Sequence, residues 1–359
     1  MLTDWAAIAF ASVGNSSAKT KLRDYLRTAS PSLSHVTDYE RHAMALQALG
    51  INPYTGTAQD YIAPITGAFD GTQIGDTSLD NDDIFAIFPL MHAGYTTNDE
   101  IIQKTSAFIV ARQKTDGSWD ESVDVTAAAI QALSLTSSLP GVPDAIVEGK
   151  AYLHEEQRED GGWENSFSTS WALQAIAALD ESESSWTPGN DTPEEFLASL
   201  QQSDGGVDSM STSDTMRTWA TAYAIPAARQ KTWDDVLASF KKPIGATDPA
   251  TNASQNATST SLTATTTLVI ATTTPLVLGA STSTVSAASS TPTIPPAAPK
   301  PQPVPKKIAE QTDAIHSSQA TLTAETNPQA QVATVAAVQE EKLSFFARIW
   351  NFLVGLFAW

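Results

Sequence analysis

Two patterns of hydrophobic and polar positions alternate along the first 245 residues. In the first, apolar residues recur on one face only, as in 98–112 (NDEIIQKTSAFIVAR), which predicts a helix with one buried side. In the second, Ala and Leu cover much of the circumference, as in 123–135 (VDVTAAAIQALSL), which predicts a helix packed on several sides. We call the first kind outer helices and the second kind inner helices.

The alternation predicts six helices of each kind. Inner helices are predicted at 3–13, 37–49, 82–93, 123–135, 168–179 and 213–227, and outer helices at 18–27, 58–66, 99–112, 143–156, 192–202 and 233–241. An open stack of helix hairpins leaves two apolar end faces that need capping repeats, and the sequence contains none. The pattern therefore predicts an all-α fold, a closed (α/α)6 toroid lined by the inner helices and encircled by the outer ones.

One phrase occurs three times between these helices. It reads QKTDGSW at 113–119, QREDGGW at 157–163 and QQSDGGV at 201–207, so the intervals are equal (157 − 113 = 44 and 201 − 157 = 44). A period of this size indicates an array of stacked helical units. We expect the phrase to be a structural staple with no part in catalysis.

Each part of the phrase has a physical role in this interpretation. Glycine ends the outer helix in the left-handed conformation, aspartate before it favours a tight turn, and glutamine ties its amide to open backbone. Tryptophan wedges between the turn and the next inner helix. The residues expected to act in this way are Gln113, Asp116, Trp119, Gln157, Asp160, Trp163, Gln201 and Asp204.

The repeated phrase, followed by an Ala- and Leu-rich helix, resembles the QW motif of squalene and hopene cyclases. More broadly, 4–241 resembles the prenyltransferase and terpene-cyclase α/α toroid superfamily, and is most similar to its non-catalytic bacterial surface members. The superfamily includes cyclases, protein prenyltransferases, complement-type thioester domains, cobalamin carriers and surface proteins without known chemistry. The resemblance therefore implies the fold and leaves the function open.

Composition divides the chain into three parts. Residues 1–245 have a globular composition, 246–342 are rich in Ser, Thr, Ala and Pro and predict a disordered stalk, and 343–359 (LSFFARIWNFLVGLFAW) are aromatic and apolar. At about 1.5 Å per residue the last segment forms a helix of roughly 25 Å, which suits a short membrane-spanning anchor or an interfacial amphipathic one. A tail that docks on the protein itself is the alternative.

Charge and cysteine content exclude several functions. The first 245 residues hold 15 Lys and Arg against 34 Asp and Glu, a net charge of −19, which argues against nucleic acid as a partner. The chain has no cysteine, so thiolate zinc sites, thioester domains and the zinc site that the resemblance to prenyltransferases implies are excluded. The five histidines show no metal-ligand spacing. We expect no metal, no cofactor and a monomer.

The strongest candidate for chemistry is the string Asp80-Asn81-Asp82-Asp83. It resembles the DxDD string with which class II terpene cyclases protonate an alkene, and this resemblance implies that Asp82 is the general acid, supported by Asp80 and Asp83. Clustered carboxylates suit that task because neighbouring negative charges raise the pKa of one of them. The alternative is that the string caps the N-terminus of the following helix, where acidic residues are favoured.

A second candidate site is the end of the domain at which the inner helices begin. If those helices are parallel, acidic and aromatic residues gather there and could bind a cation, a sugar or a basic peptide. The residues of this predicted rim are Asp4, Trp5, Asp38, Tyr39, Glu40, Asp82, Asp83, Asp124, Trp171 and Asp214. The alternative is that the carboxylates cap helices and the aromatic residues belong to the core.

These features predict a membrane-tethered, non-catalytic binding or adhesion module at the cell surface, with a small molecule, a glycan or a protein as its ligand. The membrane partner is expected to bind through 343–359. Residues 1–14 lack the basic region of an export signal, so either the protein is cytosolic or such a signal precedes Met1 in the natural protein; the stalk and the apolar tail favour the second. The alternatives are a class II terpene-cyclase-like isomerase that uses Asp82 and a small-molecule binder similar to cobalamin carriers.

Overall fold

The computed structural model describes residues 2–14, 16–208 and 212–244. Over these ranges the chain forms twelve α-helices, numbered in chain order, and one short 3-10 helix, with no β-strand. The odd-numbered helices are α1 (Leu2–Ser12), α3 (Val36–Ala48), α5 (Asn81–His92), α7 (Val123–Ser134), α9 (Ser166–Ala178) and α11 (Asp214–Ala228). The even-numbered helices are α2 (Ser17–Thr28), α4 (Ala63–Gly67), α6 (Glu100–Arg112), α8 (Val142–Glu156), α10 (Pro193–Ser199) and α12 (Trp233–Val236).

The prediction of an all-α fold is confirmed for the described residues, and each predicted inner or outer helix has a counterpart. Three outer helices are shorter than predicted. Where 58–66 was predicted, α4 covers only Ala63–Gly67. The helix α10 ends at Ser199 instead of 202, and α12 ends at Val236 instead of 241. The predicted stalk and the apolar C-terminal segment lie outside the described residues, so the boundaries at 245 and 342 stay predictions.

Side-chain caps fix where several helices begin. Ser122 and Ser213 accept a hydrogen bond from a backbone N–H in the first turn of α7 and α11, at 3.3 Å in both. Asn165 does the same for α9, accepting from the N–H of Phe167 at 2.8 Å. Such caps satisfy backbone donors that have no partner within the helix.

The odd-numbered helices pack side by side and point the same way. Each contacts the next one in chain order, and α11 also contacts α1. Near their C-terminal ends, Gln47 of α3 donates to the carbonyl of Pro89 in α5 at 2.9 Å. Arg229, directly after α11, donates to the carbonyl of Ser12 at the end of α1 at 3.1 Å. We call the end at which these helices begin the acidic end.

The three copies of the repeated phrase form the same turn. The glutamine amide donates to the carbonyl of the glycine four residues later: Gln113 to Gly117 (2.9 Å), Gln157 to Gly161 (2.8 Å) and Gln201 to Gly205 (3.2 Å). The three glycines have φ between +81° and +93°, the left-handed region that favours glycine. The helices α6 and α8 end before the glutamine, so the glycine shapes the turn after the helix and does not terminate the helix itself.

The same turns join neighbouring units. The amide of Gln113 also donates to the carbonyl of Ala145 in α8 at 2.8 Å. Trp119 is fully buried; its indole N–H donates to the carbonyl of Ile109 in α6 at 2.7 Å, and its backbone N–H donates to the hydroxyl of Thr126 in α7 at 3.0 Å. One residue of the turn therefore connects an even-numbered helix to the odd-numbered helix that follows it.

Residues 233–242, which we call the strap, run across the end opposite the acidic end. The backbone N–H of Ala238 donates to the carbonyl of Gln47 (3.2 Å), and that of Phe240 donates to the carbonyl of His92 (2.7 Å). Because the strap binds the ends of α3 and α5 with its backbone, it cannot continue as the predicted helix to residue 241. A Cβ atom at Gly94 would lie 2.5 Å from the strap nitrogen of Lys242, so only glycine allows this approach.

No helix within 2–14, 16–208 and 212–244 has both the length and the apolar character needed to cross a membrane.

We expect Trp119→Ala to lower the free energy of unfolding by about 3–5 kcal/mol, because it leaves a large cavity and removes the indole bond to α6. Trp219→Ala is the matched control: Trp219 is only half-buried, so a smaller loss is expected. Urea denaturation of both variants measures the difference. Equal losses for the two tryptophans would contradict a stapling role for Trp119.

Candidate functional site

The carboxylates of Asp82 and Asp83 hold the loop that precedes α5. Both side chains are buried. Asp82 Oδ2 accepts from the backbone N–H of Asp76 at 2.9 Å, and Asp83 Oδ1 accepts from that of Ile74 at 2.8 Å. Asp80, at the N-cap position, makes no capping bond with its side chain. The string therefore stands at the N-terminus of α5, as the capping alternative predicts, but its side chains make no capping bond there, and the carboxylates of Asp82 and Asp83 bind loop backbone that comes earlier in the chain.

Asp80 is paired with a cation from another element. Its Oδ1 lies 2.5 Å from Nε of Arg112, at the end of α6, while the Asp80 carboxylate itself is almost completely buried. A buried carboxylate stays charged only with such a partner. Asp80 therefore differs from Asp82 and Asp83, for which no ion pair is found among the described residues.

Glu40 of α3 completes a buried acidic cluster with Asp82 and Asp83. It is fully buried, and neither of its carboxylate oxygens has a hydrogen-bond partner within the described part of the chain. Asp83 Oδ2 has none either. We refer to Glu40, Asp82 and Asp83 as the buried acids.

The pKa values of the buried acids are raised. Burial raises the pKa of Asp83 to about 8, with the negative charge of Asp82 adding to the effect against the hydrogen bond from Ile74. Burial raises the pKa of Asp82. Burial, followed by the charges of Asp82 and Asp83, raises the pKa of Glu40 well above its ordinary value. The cluster therefore retains protons at a pH at which exposed carboxyls are ionised.

A second cluster joins α1 and α3 at the acidic end. Asp4 Oδ1 lies 3.0 Å from Nδ1 of His42, and Asp4 Oδ2 accepts from Nε of Arg41 at 3.4 Å. Arg41 also donates to Asp38 Oδ1 at 2.8 Å. Burial acts to raise the pKa of Asp38, but the bonds from Arg41 and from the N–H groups of Ser34 and His35 hold it well below its ordinary value.

The remaining residues of the predicted rim are more dispersed. Asp124 is half-buried, and burial raises its pKa against a hydrogen bond from Ser168; Asp214 is exposed in the first turn of α11. Tyr39 is half-buried, with its ring centroid 6.5 Å from that of Tyr61. The expectation that Trp5 and Trp171 lie exposed beside the acids is wrong, because both are buried.

Trp5 and Trp171 belong to an aromatic cluster between the odd-numbered helices. Trp5 of α1 lies 6.4 Å from Phe85 of α5, which lies 5.7 Å from Trp171 of α9, measured between ring centroids. The strap adds Trp233, whose ring is within 5.8 Å of Trp5, Phe85, Phe88 and Trp171. These rings join α1, α5 and α9, which alternate with α3 and α7 in the order in which the helices pack. The cluster therefore lies between the odd-numbered helices.

Sequence reasoning missed three partners of the predicted acids: Arg41, His42 and Arg112. His42 pairs with Asp4, 38 residues away in the sequence. One local signal existed, because Arg41 follows Asp38 by one helical turn. The other pairings depend on tertiary packing, which no local pattern encodes.

The arrangement can hold protons, because the pKa values of Asp82 and Asp83 are raised, but the two side chains are engaged by the backbone N–H groups of Asp76 and Ile74. Within the ranges that the structure describes, no three His, Asp or Glu side chains form a group able to hold a metal ion.

Asp83 should make stability fall as pH rises. Its folded pKa of about 8 exceeds its ordinary value of 3.8, so the folded state keeps a proton that the unfolded state releases. One such group contributes a decrease of about 1.4 kcal/mol per pH unit between these values. We expect Asp83→Asn, which is uncharged at every pH, to be more stable than the parent at pH 8, and we expect this advantage to shrink steadily as the pH is lowered towards the ordinary carboxyl pKa, as measured by urea denaturation.

Asp38→Asn serves as the control of opposite sign. Because the pKa of Asp38 is lowered in the folded state, this variant should be less stable than the parent at pH 7, with the difference fading as the pH falls below the ordinary carboxyl range. If the free energies of unfolding of Asp83→Asn and of the parent change in parallel from pH 5 to pH 8, Asp83 is not protonated in the folded protein.

Comparison of the chain with models of known protein families gives no match, and comparison with curated proteins gives none either.

Proposed function

We propose that this protein is a non-catalytic binding module built on a closed (α/α)6 toroid, and that its binding surface is the acidic end. The observation that carries the proposal is the aromatic cluster of Trp5, Phe85, Phe88, Trp171 and Trp233, which occupies the interior. A module without an interior chamber has to bind partners on its outer surface. The contact of α11 with α1 supports closure of the toroid.

A positively charged partner fits the acidic end best. The first 245 residues carry a net charge of −19 (15 − 34). Asp214 and Glu164 are exposed near the starts of α11 and α9, and Asp38 is half-buried near that of α3. Opposite charges at exposed positions accelerate and orient association with a basic partner.

We further propose display at a cell surface, with 246–342 as the stalk and 343–359 as the membrane anchor. Support comes from composition: Ser, Thr, Ala and Pro dominate the first segment, and aromatic and aliphatic residues dominate the second. In this arrangement the binding module would stand away from the membrane, where it can meet partners in solution or on other surfaces.

Proton donation to an alkene is a second candidate function. The observation that favours it is the raised pKa of Asp82 and of Asp83, since a donor must hold a proton near neutral pH. Against it, the carboxyl groups of both residues are buried and bind loop backbone. We therefore place it second.

Binding of fluorescently labelled octalysine to the full-length chain tests the first proposal. We expect binding that weakens as salt is raised from 0.05 to about 0.3 M, because salt screens exposed charges. The double variant Glu164→Gln/Asp214→Asn should lower the affinity about fivefold, at about 0.5 kcal/mol per exposed charge.

The matched control is Asp144→Asn/Asp180→Asn, which removes two exposed charges from the beginning of α8 and from directly after α9. It should leave the octalysine affinity within about twofold of the parent, which corresponds to the lower range of exposed-charge effects. If octalysine does not bind, or if both double variants lower its affinity equally, the acidic end is not the binding surface.

Incubation of the full-length chain with squalene separates the two candidates. We expect no cyclised product, because Asp82 is buried and engaged by the backbone N–H of Asp76, and Asp82→Asn should behave in the same way. Gas chromatography with mass spectrometry provides the measurement. A cyclised product that disappears in Asp82→Asn would make proton donation the function of the site.

A further inference from the structure

The helix α2 concentrates positive charge in a domain that is otherwise strongly acidic. It holds Lys19, Lys21, Arg23 and Arg27 against Asp24, a net charge of +3 (4 − 1), whereas the first 245 residues together carry −19 (15 − 34). This one helix therefore contains 4 of the 15 lysines and arginines in that part of the chain. We refer to Lys19, Arg23 and Arg27 as the basic stripe, because residues four positions apart lie along one side of a helix.

The basic stripe is open to solvent and is not neutralised by the protein around it. Arg23 and Arg27 are exposed, and Lys19 is half-buried. Within the described residues none of the three makes an ion pair, whereas Arg112 and Arg217 each pair with an aspartate. A guanidinium stays protonated at every physiological pH. The stripe therefore presents permanent positive charge to a ligand.

Stability of the helix does not account for the basic stripe. Like charges four residues apart on a helix repel each other. Lys19 also lies in the first turn, where the helix dipole disfavours a cation. Burial, followed by the charge of Arg23, lowers the pKa of Lys19, in line with this repulsion. Only Arg27, in the last turn, is well placed for the dipole, so a ligand of opposite charge is the better explanation for Lys19 and Arg23.

The spacing and surroundings of the stripe indicate what kind of anion fits it. At about 1.5 Å per residue, its members are about 6 Å apart along the helix axis, which is close to the length of one sugar unit. A nucleic acid duplex carries a charge about every 1.7 Å, far more densely than the stripe. Protein interfaces have an apolar centre, but the exposed residues beside the stripe are Thr20 and Asp24, and the exposed ring of Tyr25 lies on the opposite side of α2.

We propose that the basic stripe binds a linear acidic polysaccharide that bears a carboxylate on each sugar unit. Arg23 and Arg27 bind carboxylates through paired hydrogen bonds, and Lys19 adds a third cation. The hydroxyl of Thr20 donates to the carbonyl of Ser16 at 3.2 Å, so its oxygen can accept from a sugar hydroxyl. Exposed charges are screened over about 8 Å at physiological ionic strength, so a short anion responds mainly to the stripe beneath it. The inference goes beyond the proposed function, because its ligand is an anion.

Fluorescence anisotropy with the full-length chain and labelled hexamannuronate, a linear β-linked uronate chain, tests the inference. We expect saturable binding that weakens as salt is raised from about 0.05 to 0.3 M, because salt screens exposed charges. Mannohexaose, which lacks the carboxylates, should not bind. Arg23→Gln/Arg27→Gln should lower the affinity about fivefold. Arg23→Lys/Arg27→Lys should lower it only about twofold, because the charge remains and the paired donors are lost.

The matched control is Lys104→Gln/Arg158→Gln. It removes two exposed cations from α6 and from the turn after α8, so it changes the net charge by the same amount. It should leave the hexamannuronate affinity within about twofold of the parent. All of these changes are at exposed positions, so the variants should unfold at the same urea concentration as the parent.

Octaglutamate separates a polysaccharide from an acidic peptide. We expect it to bind more weakly than hexamannuronate, because its flexible chain loses more conformational freedom on binding. If it binds more tightly, the stripe binds an acidic peptide and the inference is wrong. The inference is also wrong if hexamannuronate does not bind, or if the control lowers its affinity as much as Arg23→Gln/Arg27→Gln does. Octalysine binding is measured separately, so either proposal can fail while the other stands.

Discussion

The structure depends on filling the space between six parallel helices, most of which are rich in Ala. Small residues let the odd-numbered helices approach one another, but they leave an interior that has to be occupied to avoid a cavity. Trp5, Phe85 and Trp171 occupy it from three helices, and Trp233 enters from the strap. Edge-to-face pairs of this kind contribute about 0.5–1.5 kcal/mol each beyond their buried area. The core therefore combines Trp5 from α1, the first helix, with Trp233 from the strap, the last described segment of the chain.

The acidic side chains at the acidic end differ in whether the packed core leaves a basic side chain within their reach. Asp4, Asp38 and Asp80 each contact Arg41, His42 or Arg112, which offer basic groups where water is largely excluded. Glu40 finds no cation of its own in the described chain, and burying an ionised carboxylate there would cost far more than keeping it protonated. Carboxyl groups at this end therefore have two roles. Asp38 is a counter-ion of Arg41, whereas the buried acids hold protons.

The sequence allowed the helices and the turns to be predicted because both are encoded locally. Apolar periodicity located every odd-numbered helix to within a few residues, and the interval between copies of the phrase located the turns that contain Trp119 and Trp163. The strap was misjudged because its backbone bonds go to Gln47 and His92, more than 140 residues away, instead of to its own next turn. The pairing of His42 with Asp4 was missed for the same reason, because it depends on which helices become neighbours. The burial of Trp171 agrees with the alternative that the rim aromatics belong to the core.

The strap also determines how the domain bears mechanical load. The last described residue, Ile244, comes two positions after Lys242, whose ammonium pairs with Asp99 and lies 4.3 Å above the ring of Tyr95. A pull applied at Ile244 therefore loads these contacts and the Phe240–His92 bond before it loads Trp233 and the aromatic cluster. Because Trp233 lies at the inner end of the strap, a force can disrupt the core only after the strap has detached. The surface at the opposite end stays outside that path, so tension on the chain need not distort it.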